Sequence, residues 1–168
     1  MSEAVVIMGV AGCGKSSVGS ALASLIGARL IEGDDYHSPA SREKMVNGIA
    51  LTDADRQGWL ETLGNLLRCA PHRTVLTCSA LKRAYRDTLR VANPDLRYIH
   101  LAISPAESWR RVTARAGEHF FPGNLVNSQF AALETPDNEV DVLTVDATLP
   151  VSELAKRAAI WLASKEHA

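Results

Sequence analysis

The sequence predicts an α/β fold: a parallel sheet with helices packed on both of its faces. Three observations carry this. Short apolar runs such as Ala4–Met8 alternate with longer stretches whose apolar residues recur at helical spacing. The runs are short and apolar, which suits strands covered on both sides. A glycine-rich turn joins the first run to the first helical stretch. Strands separated by helices join as parallel βαβ units with right-handed crossovers.

Each element has its own signal. Ala4–Met8 reads as a buried strand ending at glycine. Val18, Leu22, Leu25 and Ile26 mark the inner face of the first helix, which Gly27 is placed to end. Arg29–Glu32 is a second strand running into Gly33-Asp34. Residues 34–52 are polar and irregular, with a short helix expected around Ser41–Val46. Thr52 or Asp53 is positioned to cap a helix carrying Trp59, Leu60, Leu63, Leu66 and Leu67 on one stripe, with Pro71 just past its end. Thr74–Cys78 is a third strand. Ala80–Val91 reads as a helix with Leu81, Tyr85 and Leu89 inward. Asn93-Pro94 breaks the chain before strand Tyr98–Ala102, and Pro105 opens another helix. A fifth strand is expected at Val140–Val145. The last helix buries Val151, Leu154, Ala155, Ala158 and Leu162.

The chain's 168 residues fit one domain, expected to span 1–168. Such a length buries roughly two-thirds of the unfolded surface. A net charge of −1 argues against a broad basic face for nucleic acid. No apolar run approaches the roughly 20 residues of a membrane span. Met1-Ser2-Glu3 has no positive region of the kind that opens a signal peptide, so a cytoplasmic protein is expected. Cys13, Cys69 and Cys78 match neither a disulfide framework nor a zinc site, and are expected as reduced thiols.

Gly9-Val10-Ala11-Gly12-Cys13-Gly14-Lys15-Ser16 fits G-x-x-x-x-G-K-[ST] in full, between a strand and a helix. The residue types follow from the chemistry of binding a polyphosphate. Glycines let successive backbone N–H groups point at one phosphate. The helix start at Ser16-Ser17 adds unpaired N–H donors and partial positive charge. Lys15 brings a cation to the β- and γ-oxygens of ATP, and the Ser16 hydroxyl is a ligand for Mg²⁺. Cys13 sits inside the loop, where a small side chain fits. The motif predicts a P-loop NTPase fold but does not by itself separate a kinase from an ATPase, a GTPase or a nucleotide switch. Thr74–Cys78 ends without the acid of a Walker-B strand, which argues against a motor ATPase.

Ligands of open α/β sheets bind beyond the carboxyl ends of the strands. Strand two ends at Gly33-Asp34-Asp35-Tyr36-His37 and strand three at Cys78-Ser79-Ala80-Leu81-Lys82, so both should face the phosphate loop. Asp34 is the candidate proton acceptor for an attacking hydroxyl, with the holding of a Mg²⁺-bound water or a plain solvated loop acid as alternatives. His37 is placed either to bond an acceptor hydroxyl or to sit on a surface loop. Ser79 and the N–H groups after it are expected to open a helix and form an anion site. Lys82 and Arg86, four apart, would share a face and bring positive charge; a solvated basic face is the alternative, and more so for Arg83. Arg56 has the bidentate fork for a carboxylate, while Asp53 and Asp55 favour the helix start. Arg111 and Arg115 precede a Gly/Pro-containing stretch, 117–138, which reads as a lid that brings an arginine onto the transferred phosphoryl group; two surface arginines on an exposed helix are the alternative. The acceptor-side segment is expected at about 34–60. His119-Phe120-Phe121 would either anchor the lid through its aromatics or serve ordinary packing.

Taken together, these residues resemble the gluconate kinase (gluconokinase) family over nearly the whole chain. The likeness runs through Met8-Gly9-Val10 and the phosphate loop, Gly33-Asp34, His37, Glu43-Lys44-Met45, Gly48, Leu51, Asp53, Asp55-Arg56 and Trp59-Leu60. It continues through Cys78-Ser79-Ala80-Leu81-Lys82 with Tyr85-Arg86-Asp87, then Arg115, His119-Phe120, Ser128-Gln129-Phe130, Leu133-Glu134 and Pro136. The Cys-Ser-Ala-Leu-Lys run followed by Tyr-Arg-Asp is the most discriminating part. The resemblance implies transfer of a phosphoryl group from ATP to the 6-hydroxyl of D-gluconate with Mg²⁺. It implies a sheet in order 2-3-1-4-5, similar to shikimate and nucleoside monophosphate kinases, and a homodimer. Ser38, Ser41 and Gly58 stand where the family has proline, asparagine and proline. Two other readings remain at this level: a kinase for another small acid or nucleotide, and a nucleotide-sensing protein without catalysis.

Overall fold

The computed structural model describes residues 3–116 and 123–164. Its strands are β1 (Ala4–Met8), β2 (Arg29–Glu32), β3 (Thr74–Thr77), β4 (Arg97–Ala102) and β5 (Val142–Asp146). They form one parallel sheet in the order β2-β3-β1-β4-β5, as the family likeness implied. Seven α-helices lie among the described residues: α1 (Lys15–Ile26), α2 (Pro39–Val46), α3 (Asp53–Cys69), α4 (Arg83–Ala92), α5 (Pro105–Ala116), α6 (Gly123–Ala132) and α7 (Val151–Ser164). None is long and apolar enough to cross a membrane.

Side chains alternate across a strand, and β1 shows why its whole run is apolar. Ala4, Val6 and Met8 point into a core with Trp59, Leu60, Leu63 and Leu67 of α3 and Tyr85 and Leu89 of α4. Val5 and Ile7 point into a second core with Val18 and Leu22 of α1 and Leu154, Ala158 and Leu162 of α7. A central parallel strand buried on both faces has no polar side to offer. The parallel arrangement brings the carboxyl ends of β1, β2 and β3 to one edge of the sheet, where the phosphate loop begins.

Helix starts follow local side-chain chemistry. Thr52 and Asp55 form a reciprocal capping box at α3. Ser38 caps α2, its hydroxyl accepting from Ser41 N–H at 3.1 Å, with Pro39 in the first turn. The serine that displaces the family's proline thus becomes a cap, and α2 begins two residues earlier than the sequence predicted. No atom lies within 4 Å of a Cβ built at Gly58, so packing gives no reason for a glycine there.

Two boundaries differ for backbone reasons. The expected helix from Ala80 starts only at Arg83, because Ala80 is left-handed with φ 46° and Lys82 is the N-cap. β5 starts at Val142, because Asp141 is left-handed with φ 58° and turns the chain into the strand. All three cysteines are free thiols; Cys13 and Cys78 are buried and Cys69 is exposed. Burial pushes the Cys78 thiol up to about 12.

Candidate active site

The phosphate loop leaves β1 at Gly9, whose φ of +149° lies in the region that favours glycine. A Cβ there would meet Cys13 Sγ at 2.7 Å and the Leu101 carbonyl oxygen at 3.0 Å. The buried Cys13 therefore packs beneath the loop, the plain fit expected for it. Gly9 N–H donates to the Ser79 carbonyl at 3.3 Å, joining the loop to the exit of β3. Lys15 Nζ donates to the Gly9 and Val10 carbonyls at 2.9 and 3.2 Å, so the cation already sits over the loop.

Helices α5 and α6 hold the loop from its other side. Ser108 Oγ donates to the Ala11 carbonyl at 2.6 Å, and Ala11 N–H donates to Gln129 Oε1 at 2.7 Å. Arg111 donates to the Gly12 carbonyl at 3.3 Å and to the Ala147 carbonyl at 3.0 Å, while its Nε pairs with Glu107 at 2.9 Å. Arg111 thus stands at the phosphate loop.

Ser16 Oγ donates to Glu32 Oε2 at 3.0 Å, and Thr77 Oγ1 donates to the same oxygen at 2.5 Å. Ser17 follows on the exposed side of α1. Sequence reasoning missed Glu32. The register pairs it with Thr77 at the carboxyl edge of the sheet. An acid therefore stands at this edge of the sheet on β2 rather than at the end of β3. An acid as the last residue of β2, beside a serine-ended loop motif, was the available signal.

Gly33 brings Asp34 to the site. A Cβ at Gly33 would lie 2.2 Å from the Thr77 carbonyl oxygen, so only glycine lets β2 turn there. The Gly33 carbonyl accepts from Trp59 Nε1 at 2.8 Å. Trp59 in turn stacks on His37, with ring centroids 4.1 Å apart. His37 is 8% exposed, which removes the surface-loop reading, and its Nε2 lies 3.4 Å from Asp34 Oδ1. The hydrogen bond from His37, aided by the nearby Lys15 and Arg42 cations, holds the Asp34 carboxyl below its usual 3.8 despite desolvation.

A cleft of about 170 Å³ opens between these elements, lined among others by Lys15, Asp34, His37, Arg56, Ser79 and Gln129. That is below the roughly 300–1,000 Å³ of drug-sized sites, so it suits a small acceptor. Met45, Ile49, Leu51 and Leu125 give it apolar walls. Arg56 Nη1 donates to Tyr85 Oη at 3.2 Å, and Tyr85 hydrogen-bonds Asp53. Lys82 Nζ donates to Asp53 Oδ1 at 2.9 Å, at the same end of the sheet but engaged with that acid and outside the cleft lining. Asp55 caps α3 and accepts from Lys44 at 2.9 Å, which together hold its carboxyl at about 2. These acids serve α3 and its neighbours.

Two expectations need correction. Arg86 does not face an acceptor: it is fully buried, donates to the Ala80, Leu81 and Glu134 carbonyls at 2.7, 3.1 and 2.8 Å, and pairs with Glu139. It does not share an open face with Lys82, because Lys82 is the cap rather than part of the helix. Ser79 lines the cleft but does not open a helix, since the left-handed Ala80 intervenes. What Arg86 does is hold that turn. Removing one partner of a buried ion pair costs about 3–5 kcal/mol. Arg86→Ala is therefore expected to lower unfolding free energy by about that amount in urea titrations. Unchanged stability with weakened acceptor binding would return Arg86 to the substrate.

Arg115 is exposed on the last turn of α5, outside the cleft lining. His119, and with it the expected 119–121 anchor of the lid, lies outside the described residues.

No family model matches the chain. The gluconokinase of Gluconobacter oxydans is 44% identical over 144 residues, covering 84% of this chain and 80% of the relative. The thermosensitive gluconokinase of Escherichia coli is 37% identical over 159 residues, covering 92% and 84%. Among solved structures, a gluconokinase from Sinorhizobium meliloti superposes with a TM-score of 0.89 at 42% identity, covering 96% and 92% of the two chains. The shikimate kinase of Acinetobacter baumannii, in complex with shikimate, superposes with a TM-score of 0.67 at 16% identity over 98% and 95%, a likeness of fold alone.

Proposed function

The chain belongs to the gluconokinase family, and from that premise we propose that it phosphorylates D-gluconate at the 6-hydroxyl, taking the phosphoryl group from ATP. The observation that carries this is that Lys15 of the phosphate loop and Asp34 beyond β2 line one cleft. A nucleotide switch has no need of an acceptor site at that place.

The residue roles follow from the chemistry. Phosphoryl transfer is catalysed mainly by positioning and charge stabilisation. The amides of residues 12–16 and the Lys15 ammonium hold the phosphates, and Arg111 stands beside the loop for the nucleotide. Asp34 accepts a hydrogen bond from the attacking hydroxyl and aligns it. A carboxylate below 3.8 is a weak base, which suits late proton transfer in a loose transition state. His37 fixes the Asp34 carboxylate. Arg56 offers a guanidinium to the acid group of the acceptor, and Ser79 a hydroxyl to its polyol. Arg115 is our candidate for neutralising the transferred charge.

The site fits Mg²⁺. The Ser16 hydroxyl is backed by the Glu32 carboxylate at 3.0 Å, an all-oxygen set of the kind the ion prefers. When bound, the ion would neutralise charge on the phosphates. A homodimer, which rests on the resemblance, and a cytoplasmic setting belong to the same reading.

An ADP-release assay over gluconate, other sugar acids, shikimate and nucleoside monophosphates tests the proposal. Turnover is expected with gluconate and at least about tenfold lower kcat/KM with the others, the scale of one lost contact in a pocket. Preference for another acceptor would replace gluconate. ATP binding with no acceptor-dependent ADP release would remove catalysis.

A further inference from the structure

We infer that Gln129 is an acceptor-positioning residue, one amide group that joins the bound sugar acid to the phosphate loop. This rests on the phosphotransfer reading above and adds a residue to it. Gln129 lies on α6 and lines the same cleft as Lys15, Asp34 and Arg56. Ala11 N–H donates to its Oε1 at 2.7 Å. A backbone N–H can only donate, so the orientation of the Gln129 amide is set: oxygen on the loop, nitrogen turned away from it. The planar amide thus has its acceptor engaged by the loop and its two Nε2 donors directed elsewhere, from a side chain that lines the cleft.

Both ends of this connection are held in place. The Ala11 carbonyl accepts from Ser108 Oγ at 2.6 Å, so the peptide is gripped from α5 as well as α6. Leu133 N–H, one turn on, donates to the Gln129 carbonyl at 2.9 Å. The next residue is tied to the β3 exit: Glu134 N–H donates to the Leu81 carbonyl at 2.8 Å, and Arg86 donates to the Glu134 carbonyl at 2.8 Å. The buried Arg86 lock that shapes the Ser79 turn therefore also places Gln129. A group fixed through its support costs little ordering when the acceptor arrives.

Three of the other cleft groups have partners already. Lys15 bonds loop carbonyls, His37 Nε2 faces Asp34, and one arm of Arg56 bonds Tyr85. A polyhydroxy acid brings several oxygens that need donors. Gln129 Nε2 supplies one, with Asp34 supplying the acceptor. An acceptor oxygen bonded to Nε2 is thereby registered to the loop residue Ala11, which sets the hydroxyl relative to the phosphoryl group.

The test compares Gln129→Glu and Gln129→Met with wild type. Glu keeps an oxygen for Ala11 N–H but has no amide donor; Met keeps the length and has neither. In both, acceptor kcat/KM is expected to fall about 10- to 100-fold, the effect of one lost hydrogen bond at a reacting group. The MgATP Kd, read by calorimetry, should change less than about threefold, since nucleotide contacts remain. Melting temperatures confirm that each variant is folded. Wild-type acceptor kinetics in Gln129→Glu, with loss confined to Gln129→Met, would overturn the inference and leave the residue as a loop prop. Tighter MgATP binding in Gln129→Met with unchanged acceptor kinetics would also overturn it, making the amide a stand-in for a phosphate oxygen. The comparison is run on whichever acceptor the wild type turns over, so failure with gluconate alone sinks that substrate and leaves the test of Gln129 intact. A wild type that turns over no acceptor at all overturns both.

Discussion

Lys15→Ala is expected to lower kcat for acceptor phosphorylation by about 10²–10³-fold, the loss typical of removing one preorganised donor from a developing anion. The reason is where the ammonium sits. Its three contacts are the Gly9 and Val10 carbonyls and the sulfur of Cys13, all within the loop itself. Nothing in either core depends on it, so the fold should survive. Near-wild-type far-ultraviolet circular dichroism and melting temperature, together with lost turnover, are the expected pair of results. Gly14 and Ser16 keep their helix-start amides, so the nucleotide should still bind, though more weakly. Turnover within a factor of two of wild type would take Lys15 out of the mechanism.

Asp34→Asn is expected to reduce kcat by about 10²–10⁴-fold, the range for a positioned proton acceptor. The ATP KM should stay close to wild type, because the phosphates are held by the loop. A change confined to ATP KM would move Asp34 from the acceptor to the nucleotide. The pH profile adds a second check. His37, through its hydrogen bond, is the largest influence lowering the Asp34 carboxyl from 3.8. Asp34 is therefore ionised throughout the neutral range, and its contribution to kcat/KM is lost only as pH falls through the lowered value. Removing the hydrogen bond with His37→Leu should let the carboxyl rise toward 3.8, so the acid limb moves to higher pH. An acid limb that stays in place would show that His37 does not govern this group.

Local signals in the sequence reached a good part of this site, and the exceptions share a cause. The phosphate loop, Asp34, His37, Arg56 and Ser79 were legible because each follows directly on a strand end or a helix start, where local rules apply. Glu32 was not. Its meaning depends on β2 pairing with β3, which puts it beside Thr77 and within reach of Ser16. Gln129 was visible only as part of a family motif, since its partner Ala11 is 118 residues away. Arg86 was misread outright. A basic residue four positions after Lys82 suggests a charged helical face, but Ala80 adopts a left-handed turn and Arg86 closes over it.

By itself, then, the amino-acid order determined the alternation of strands and helices, the polyphosphate loop and the family, because periodicity and short motifs act over a few residues. Only the tertiary structure decided which charged groups face the cleft and which are spent holding it together. The physical reason is that an arginine or glutamate carries the same charge in either place. Burial and the distant partners it meets, here Glu139 for Arg86 and Ser16 and Thr77 for Glu32, choose between support and chemistry.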